Sequence, residues 1–130
     1  MATAPDERRK TGAAAENEAA KYLRRKGYRI LCRNYAATGG EIDLIAFSKG
    51  TVVFVEVKYR SRDDSGSPLE AIDERKRKRA RNAAAHYIAA NDLSDEPGLE
   101  FRFDAVGITE QADGKLRFEH VTDTLEPPRP

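Results

Sequence analysis

The stretch GGEIDLIAFSKGTVVFVEVKYR, residues 39–60, decides the fold. Two runs rich in Ile, Leu, Val and Phe flank Lys49-Gly50, a pair suited to a tight two-residue turn. They read as antiparallel strands over 41–48 and 51–60. Yet the same strands carry Glu41, Asp43, Glu56 and Lys58. Charged side chains are poorly tolerated in a sheet unless they are paired or bind something.

The turn predicts a register. If Lys49 and Gly50 form the loop, Ser48 faces Thr51, and counting back places Asp43 opposite Glu56 and Glu41 opposite Lys58. Side chains facing each other in this way have Cβ atoms ~4.5–5.5 Å apart. Two carboxylates at that separation repel by roughly 3 kcal/mol at an effective dielectric of 20. A shared proton, Lys58 or a bound cation must offset this. Oxygen donors with room for water suit Mg²⁺ or Mn²⁺. Strand side chains alternate with period two, so Glu56 and Lys58 share a face, and one patch of sheet collects two acids and an amine.

The rest of the chain supplies elements around this hairpin. A helical pattern runs from about Pro5 to Lys26 and stops at Gly27. YRILCRNY (28–35) reads as a strand preceding the hairpin, and SRDDSGSPLE (61–70) as a loop following it. A second helix is predicted from about Ser67 to Asn91. LEFRFDAVGIT and KLRFEHVTD read as strands joined through ADGK, where Asp113-Gly114 signals a hairpin. The order α-β-β-β-α-β-β predicts a mixed sheet of about five strands flanked by helices, in the α/β or α+β class. One domain is expected over residues 12–125, with 1–11 as a flexible lead and 126–130 as a frayed tail.

Helical periodicity adds residues to the patch. Glu16, Ala19, Ala20 and Leu23 fall on one stripe, so Glu16 faces the sheet and Glu18 does not. Lys76, Ala80, Ala83, Ala84 and Tyr87 form the inner stripe of the second helix, with Lys76 and Arg79 able to look toward the acids. RKRKRAR at 75–81 holds six basic residues in seven. Arg75, Arg77, Lys78 and Arg81 spread around that helix, where they suit a phosphate backbone.

Composition narrows the classes. Net charge is +1, from 23 basic against 22 acidic residues, so only local basic faces can attract a polyanion. One cysteine, Cys32, excludes an intrachain disulfide, and two distant histidines, His86 and His120, give no zinc spacing. No apolar run approaches the ~20 residues that span a bilayer, and MATAPDERRKTG lacks the apolar core of a signal peptide. The expectation is a cytoplasmic protein without membrane attachment.

These motifs resemble a known pattern. Asp43 followed by Glu56-x-Lys58 resembles the core of the PD-(D/E)XK nuclease superfamily, with Ile42 standing where the superfamily name has proline. GYRILCRNYAATGGEIDLIA, FVEVKYRS and RFDAVGI are more closely similar to the YraN-like, endonuclease-like family. The helix from Glu16 through Leu23 to Gly27 is similar to that of archaeal Holliday-junction resolvases. The resemblance covers roughly residues 12–121. It implies a mixed sheet flanked by helices, Mg²⁺- or Mn²⁺-dependent cleavage of nucleic-acid phosphodiesters (DNA above all), and a homodimer. It also implies roles: Asp43, Glu56 and the Val57 carbonyl as metal ligands, Glu16 completing the site, and Lys58 positioning or deprotonating the attacking water. Arg60, Arg75, Lys76, Lys78 and Arg79 are the expected nucleic-acid contacts.

Each reading has a plainer counterpart. The acids and Lys58 can form a structural ion-pair cluster, Glu16 can pair with a nearby base, and the basic helix can be a solvated face. Arg102 and Asp104 are expected to form a structural salt bridge, and both histidines to lie outside the chemistry. The functional alternative to an endonuclease is a nucleic-acid-binding module with this fold and no turnover.

Overall fold

Lys49 and Gly50 both adopt positive φ, 49° and 80°, as a two-residue hairpin turn requires when its twist matches that of its strands. The computed structural model describes residues 5–61 and 73–125. Seven elements follow in order: α1 (Pro5–Arg25), β1 (Arg29–Ala37), β2 (Gly40–Ser48), β3 (Thr51–Ser61), α2 (Glu74–Ala90), β4 (Glu100–Glu110) and β5 (Leu116–Leu125). The predicted α-β-β-β-α-β-β order and mixed sheet are both observed.

The five strands lie in sequence order, β1-β2-β3-β4-β5. Neighbours are antiparallel except β3 and β4, which run parallel. A parallel pair needs a long crossover, and α2 lies within it. The two helices cover opposite faces, because β3 alternates its side chains between them. Val53, Val55 and Val57 join Ala15, Ala19, Ala20 and Leu23 of α1 in one buried cluster. Val52 and Phe54 join Ala80, Ala83, Ala84 and Ile88 of α2 in the other. Phe54 anchors that second layer, its ring centroid 5.2 Å from that of Phe103 and 6.1 Å from that of Tyr87. Both predicted stripes are thus the faces that pack, α2 adding Ile88 to its own.

One boundary differs from the sequence reading. α2 starts at Glu74, not near Ser67, because Asp73 is extended (φ −97°, ψ 176°) and its carboxylate accepts the Lys76 amide at 2.9 Å. That N-cap bond stabilises the first turn and places the helix start there. Residues 67–72 lie outside the described residues. The β4–β5 hairpin forms as expected, around a five-residue loop that holds Asp113-Gly114: Glu110 pairs with Leu116, and the Gln111 amide closes the loop on the Lys115 carbonyl at 2.8 Å. α1 begins at Pro5, where the helical pattern was expected to start. Residues 1–4 and the expected tail, 126–130, fall outside the described residues.

Candidate functional site

The predicted β2–β3 register holds from Ser48↔Thr51 to Leu44↔Val55, and there the ladder ends. Asp43 is therefore not a ladder partner of Glu56, nor Glu41 of Lys58, which corrects the expectation of face-to-face pairs. The reason lies in one hydrogen bond: the Val57 amide donates to Asp43 Oδ2 at 2.8 Å. A side chain has taken the place that a β2 carbonyl would hold in a continued ladder, and the strands open around it. A residue's N–H and C=O leave a strand on the same side, so the Val57 carbonyl also faces the opening. On the other side of β2, Asn34 takes a positive φ of 51° between the paired residues Arg33 and Tyr35. Asn tolerates that conformation better than most residues. Asp43 thus sits between two local departures from regular pairing.

Glu56 lies on the α2 face and is 8% exposed. Burial, and then the Asp43 charge, push its carboxyl up to about 8, despite the opposing pull of Lys76. The ammonium that reaches it belongs to α2: Lys76 Nζ lies 3.2 Å from Glu56 Oε2. The approach is off the hydrogen-bonding direction, so Oε2 is buried without an aligned donor. Burial lowers the Lys76 pKa, but Glu56, Asp43 and Glu41 outweigh it and the net shift is upward. Lys58 follows Glu56 on the same face by alternation and is half-buried. No ion pair between Lys58 and a described carboxylate is present. Of the three offsets expected for the acid pair, the lysine at Glu56 is Lys76 and not Lys58, and burial with the Asp43 charge favours the protonated Glu56 carboxyl.

Glu16 approaches from α1, as its stripe predicted. Its pKa is raised, first by burial and then by Asp43, with Glu41 adding to the rise, while an Asn34 hydrogen bond and Arg33 act against it. Asp43 is the hinge of the arrangement: it couples to Glu16 toward α1 and to Glu56 and Lys76 toward α2. Among the described residues, no three His, Cys, Asp or Glu side chains converge closely enough to hold an ion by themselves. The oxygen donors that do meet are the two carboxylates of Asp43 and Glu56, with the Val57 carbonyl beside them. This set fits a hard divalent cation that keeps several waters, and the orphaned Oε2 is the atom such an ion would satisfy.

α2 is seated by a residue that the sequence reading passed over. A Cβ on Gly40 would stand 1.9 Å from the Arg79 carbonyl oxygen, so only glycine allows the start of β2 to lie flush on the helix backbone. The Asn82 amide adds a bond to the Gly39 carbonyl at 3.1 Å. Arg79 itself is exposed. Arg75, Arg77 and Lys78 are likewise exposed, and Arg81 pairs with Glu74 at 3.1 Å. Arg60 lies near the end of β3, beyond Lys58. The structure therefore separates Lys76, drawn inward to Glu56, from the basic residues that face solvent.

A second polar cluster occupies the α1 face farther along the sheet. Asp104, 1% exposed, receives a two-pronged bond from Arg102 (Nε and Nη2, both 2.8 Å) and a contact from His120 Nε2 at 2.8 Å. Burial pushes the Asp104 carboxyl up, but the bonds from His120 and Arg102 outweigh it and hold it below the usual range. Arg102 also donates to the Tyr28 hydroxyl at 2.8 Å, and Lys26 Nζ lies 2.8 Å from His120 Nδ1. The expected Arg102–Asp104 bridge is present. His120, set aside from sequence, ties β5 and the end of α1 to it. The periodicity of β5 gave no sign of this, because the partner lies on another strand.

The described residues include no helix long and apolar enough to cross a membrane. Residues 15–108 match the family described as "Uncharacterised protein family UPF0102". A UPF0102 protein of Carboxydothermus hydrogenoformans is 40% identical over 119 residues, covering 92% of this chain and 98% of its own. One from Lachnoclostridium phytofermentans is 46% identical over 95 residues, covering 73% and 79%. Another from Moorella thermoacetica is 44% identical over 101 residues, covering 78% and 82%. The matched segment contains Glu16, Asp43, Glu56, Lys58 and Lys76.

Proposed function

This chain belongs to the UPF0102 family, and from the acid pair at its strand opening we propose that it is a metal-dependent endonuclease acting on nucleic-acid phosphodiesters, DNA in particular. One observation carries the reading: a buried Glu56 carboxylate with an orphaned oxygen, set beside Asp43 where β2 and β3 part. The resemblance to PD-(D/E)XK nucleases supports it, since the same residues fill that motif.

Asp43, Glu56 and the Val57 carbonyl would hold Mg²⁺ or Mn²⁺, with Glu16 completing the site from α1. Such an ion polarises the scissile phosphate and lowers the pKa of a bound water. Lys58, on the same face as Glu56, orients the phosphate and offsets the negative charge that develops on its oxygens. Arg75, Lys78 and Arg79 on the outer surface of α2, with Arg60 near the end of β3, hold the flanking backbone as point charges that read no sequence.

A binding module without turnover is the second reading. It draws on the lack of three converging ligands among the described residues and on the lysine already at Glu56. Against it, a carboxylate pair repels phosphate and gives a pure binder nothing. The test is Mn²⁺ calorimetry on wild type, Asp43→Asn and Glu56→Gln, with the same samples offered linear, flapped and four-way-junction DNA. Metal binding lost in both variants, together with metal-dependent cutting by wild type only, is the expected result. DNA binding with no metal uptake and no cutting transfers the assignment to the binding module.

A further inference from the structure

The acid pair already carries a cation supplied by the chain. Lys76 Nζ is 3.2 Å from the buried Oε2 that lacks an aligned donor. Its backbone is fixed in place: the Lys76 amide is held by the Asp73 cap at 2.9 Å, and α2 is pressed onto Gly40 one turn farther on. The side chain remains one-third exposed at 33%, so its stem reaches from the solvent-facing helix surface inward to the acid. No other lysine makes this contact among the described residues.

From this geometry we infer that Lys76 is a tethered counter-ion, which occupies the Asp43–Glu56 pair in the metal-free protein and withdraws when a divalent cation takes Glu56 Oε2. The inference rests on the reading of that pair as a cation site, and it goes beyond it by assigning Lys76 to the metal-free state and not to the nucleic-acid surface. Two positive charges cannot share one buried carboxylate oxygen without strong repulsion, since close charges in a partly buried site are weakly screened. Divalent-ion binding must therefore displace the ammonium, and part of the ion's binding energy goes to that displacement. A long, flexible lysine suits such a role, being a compact charge on a four-carbon stem. Withdrawal carries it toward Arg75, Lys78 and Arg79, so the outer face of α2 is most positive when the site is loaded.

The experiment compares wild type with Lys76→Gln, Lys76→Met and Lys76→Arg in the full chain. Lys115→Met, in the exposed β4–β5 loop, is the control. Mn²⁺ affinity is read by calorimetry, and thermal unfolding is followed in EDTA and in excess Mn²⁺. Removing the charge is expected to tighten Mn²⁺ binding roughly tenfold, within the usual range for linked binding events. It should also lower Tm in EDTA and enlarge the rise in Tm on adding Mn²⁺. Lys76→Arg, which keeps a cation, should stay near wild type, as should Lys115→Met. Gln can donate to Oε2 and tests the same point should the Met variant not fold. Equal or weaker Mn²⁺ binding by the neutral variants, while wild type binds normally, overturns the inference and leaves the metal-site reading intact. No Mn²⁺ uptake by wild type or by any Lys76 variant overturns both.

Discussion

Replacing Glu56 with Gln should stabilise the metal-free protein, and the gain should grow with pH. Glu56 has its carboxyl raised from 4.5 to about 8 by burial and by Asp43. Below pH 4.5 the group is protonated in both folded and unfolded chains and contributes no pH dependence. Between 4.5 and about 8 the folded chain holds a proton that the unfolded chain has released, so rising pH favours unfolding. At about 1.4 kcal/mol per pH unit, the ceiling on the loss is about 5 kcal/mol. Gln mimics the protonated acid and never ionises, but it gives up the attraction to Lys76, so a net gain of about 2–4 kcal/mol at pH 9 is expected, with little difference at pH 5. For a chain of this size each kcal/mol moves Tm by roughly 3–5 °C. Thermal and urea unfolding of both proteins in EDTA, from pH 5 to pH 9, measures this directly. Excess Mn²⁺ should close the gap by stabilising only the wild type. A gap that stays constant with pH, or one that favours wild type increasingly as pH rises, would refute the reasoning. It would mean that the folded chain holds no proton at Glu56 that the unfolded chain has released.

Three further outcomes follow from the same geometry. Gly40→Ala places a Cβ 1.9 Å from the Arg79 carbonyl oxygen; pushing α2 outward should cost about 1–3 kcal/mol in urea unfolding and weaken metal binding. Asp104→Ala strands Arg102 and His120, with an expected loss of about 3–5 kcal/mol and no change in the Mn²⁺ affinity of the folded protein. Because the folded Asp104 pKa is lowered, its stabilisation is present above the unfolded value and lost as pH falls through the folded one, so the gap to wild type should narrow under acid. The triple variant Arg75→Ala, Lys78→Ala, Arg79→Ala should keep its metal affinity while weakening DNA binding. Its log K against log salt should flatten by about 0.9 for each phosphate that the variant no longer neutralises, as read by fluorescence anisotropy.

Local chemistry was legible wherever it decided the outcome alone. Lys49-Gly50 set the hairpin and its register over the five pairs from Ser48↔Thr51 to Leu44↔Val55. The stripe through Ala19, Ala20 and Leu23 correctly turned Glu16 toward the sheet. Most of what escaped was set by contacts between distant segments. Period-two alternation cannot foresee that the Asp43 carboxylate will capture the Val57 amide and end the ladder. The helix boundary at Asp73 was masked by good helix formers on both sides, although Asp is a preferred N-cap. Gly40 carried no signal of its own, because its close approach to α2 depends on the crossover. Lys76 was visible on the inner stripe, but only the fold shows that it reaches Glu56 while Lys58 does not.

Opening a ladder inside a sheet leaves backbone groups without partners, and an orphaned amide costs roughly 1–3 kcal/mol. Asp43 removes that cost at Val57 with the same carboxylate that faces the acid site. The residue therefore has two duties that ordinary truncation cannot separate. An alanine at position 43 would strand the Val57 amide as well as delete a proposed ligand, so loss of metal binding there would follow from local unpairing alone. Asparagine keeps an oxygen for the amide and removes only the charge. Glu56 has no such backbone duty, since its Oε2 lacks any aligned donor. This asymmetry is what the site reading requires: one acid is tied to the backbone where the strands part, and the other meets only the mobile ammonium of Lys76, which an ion can displace.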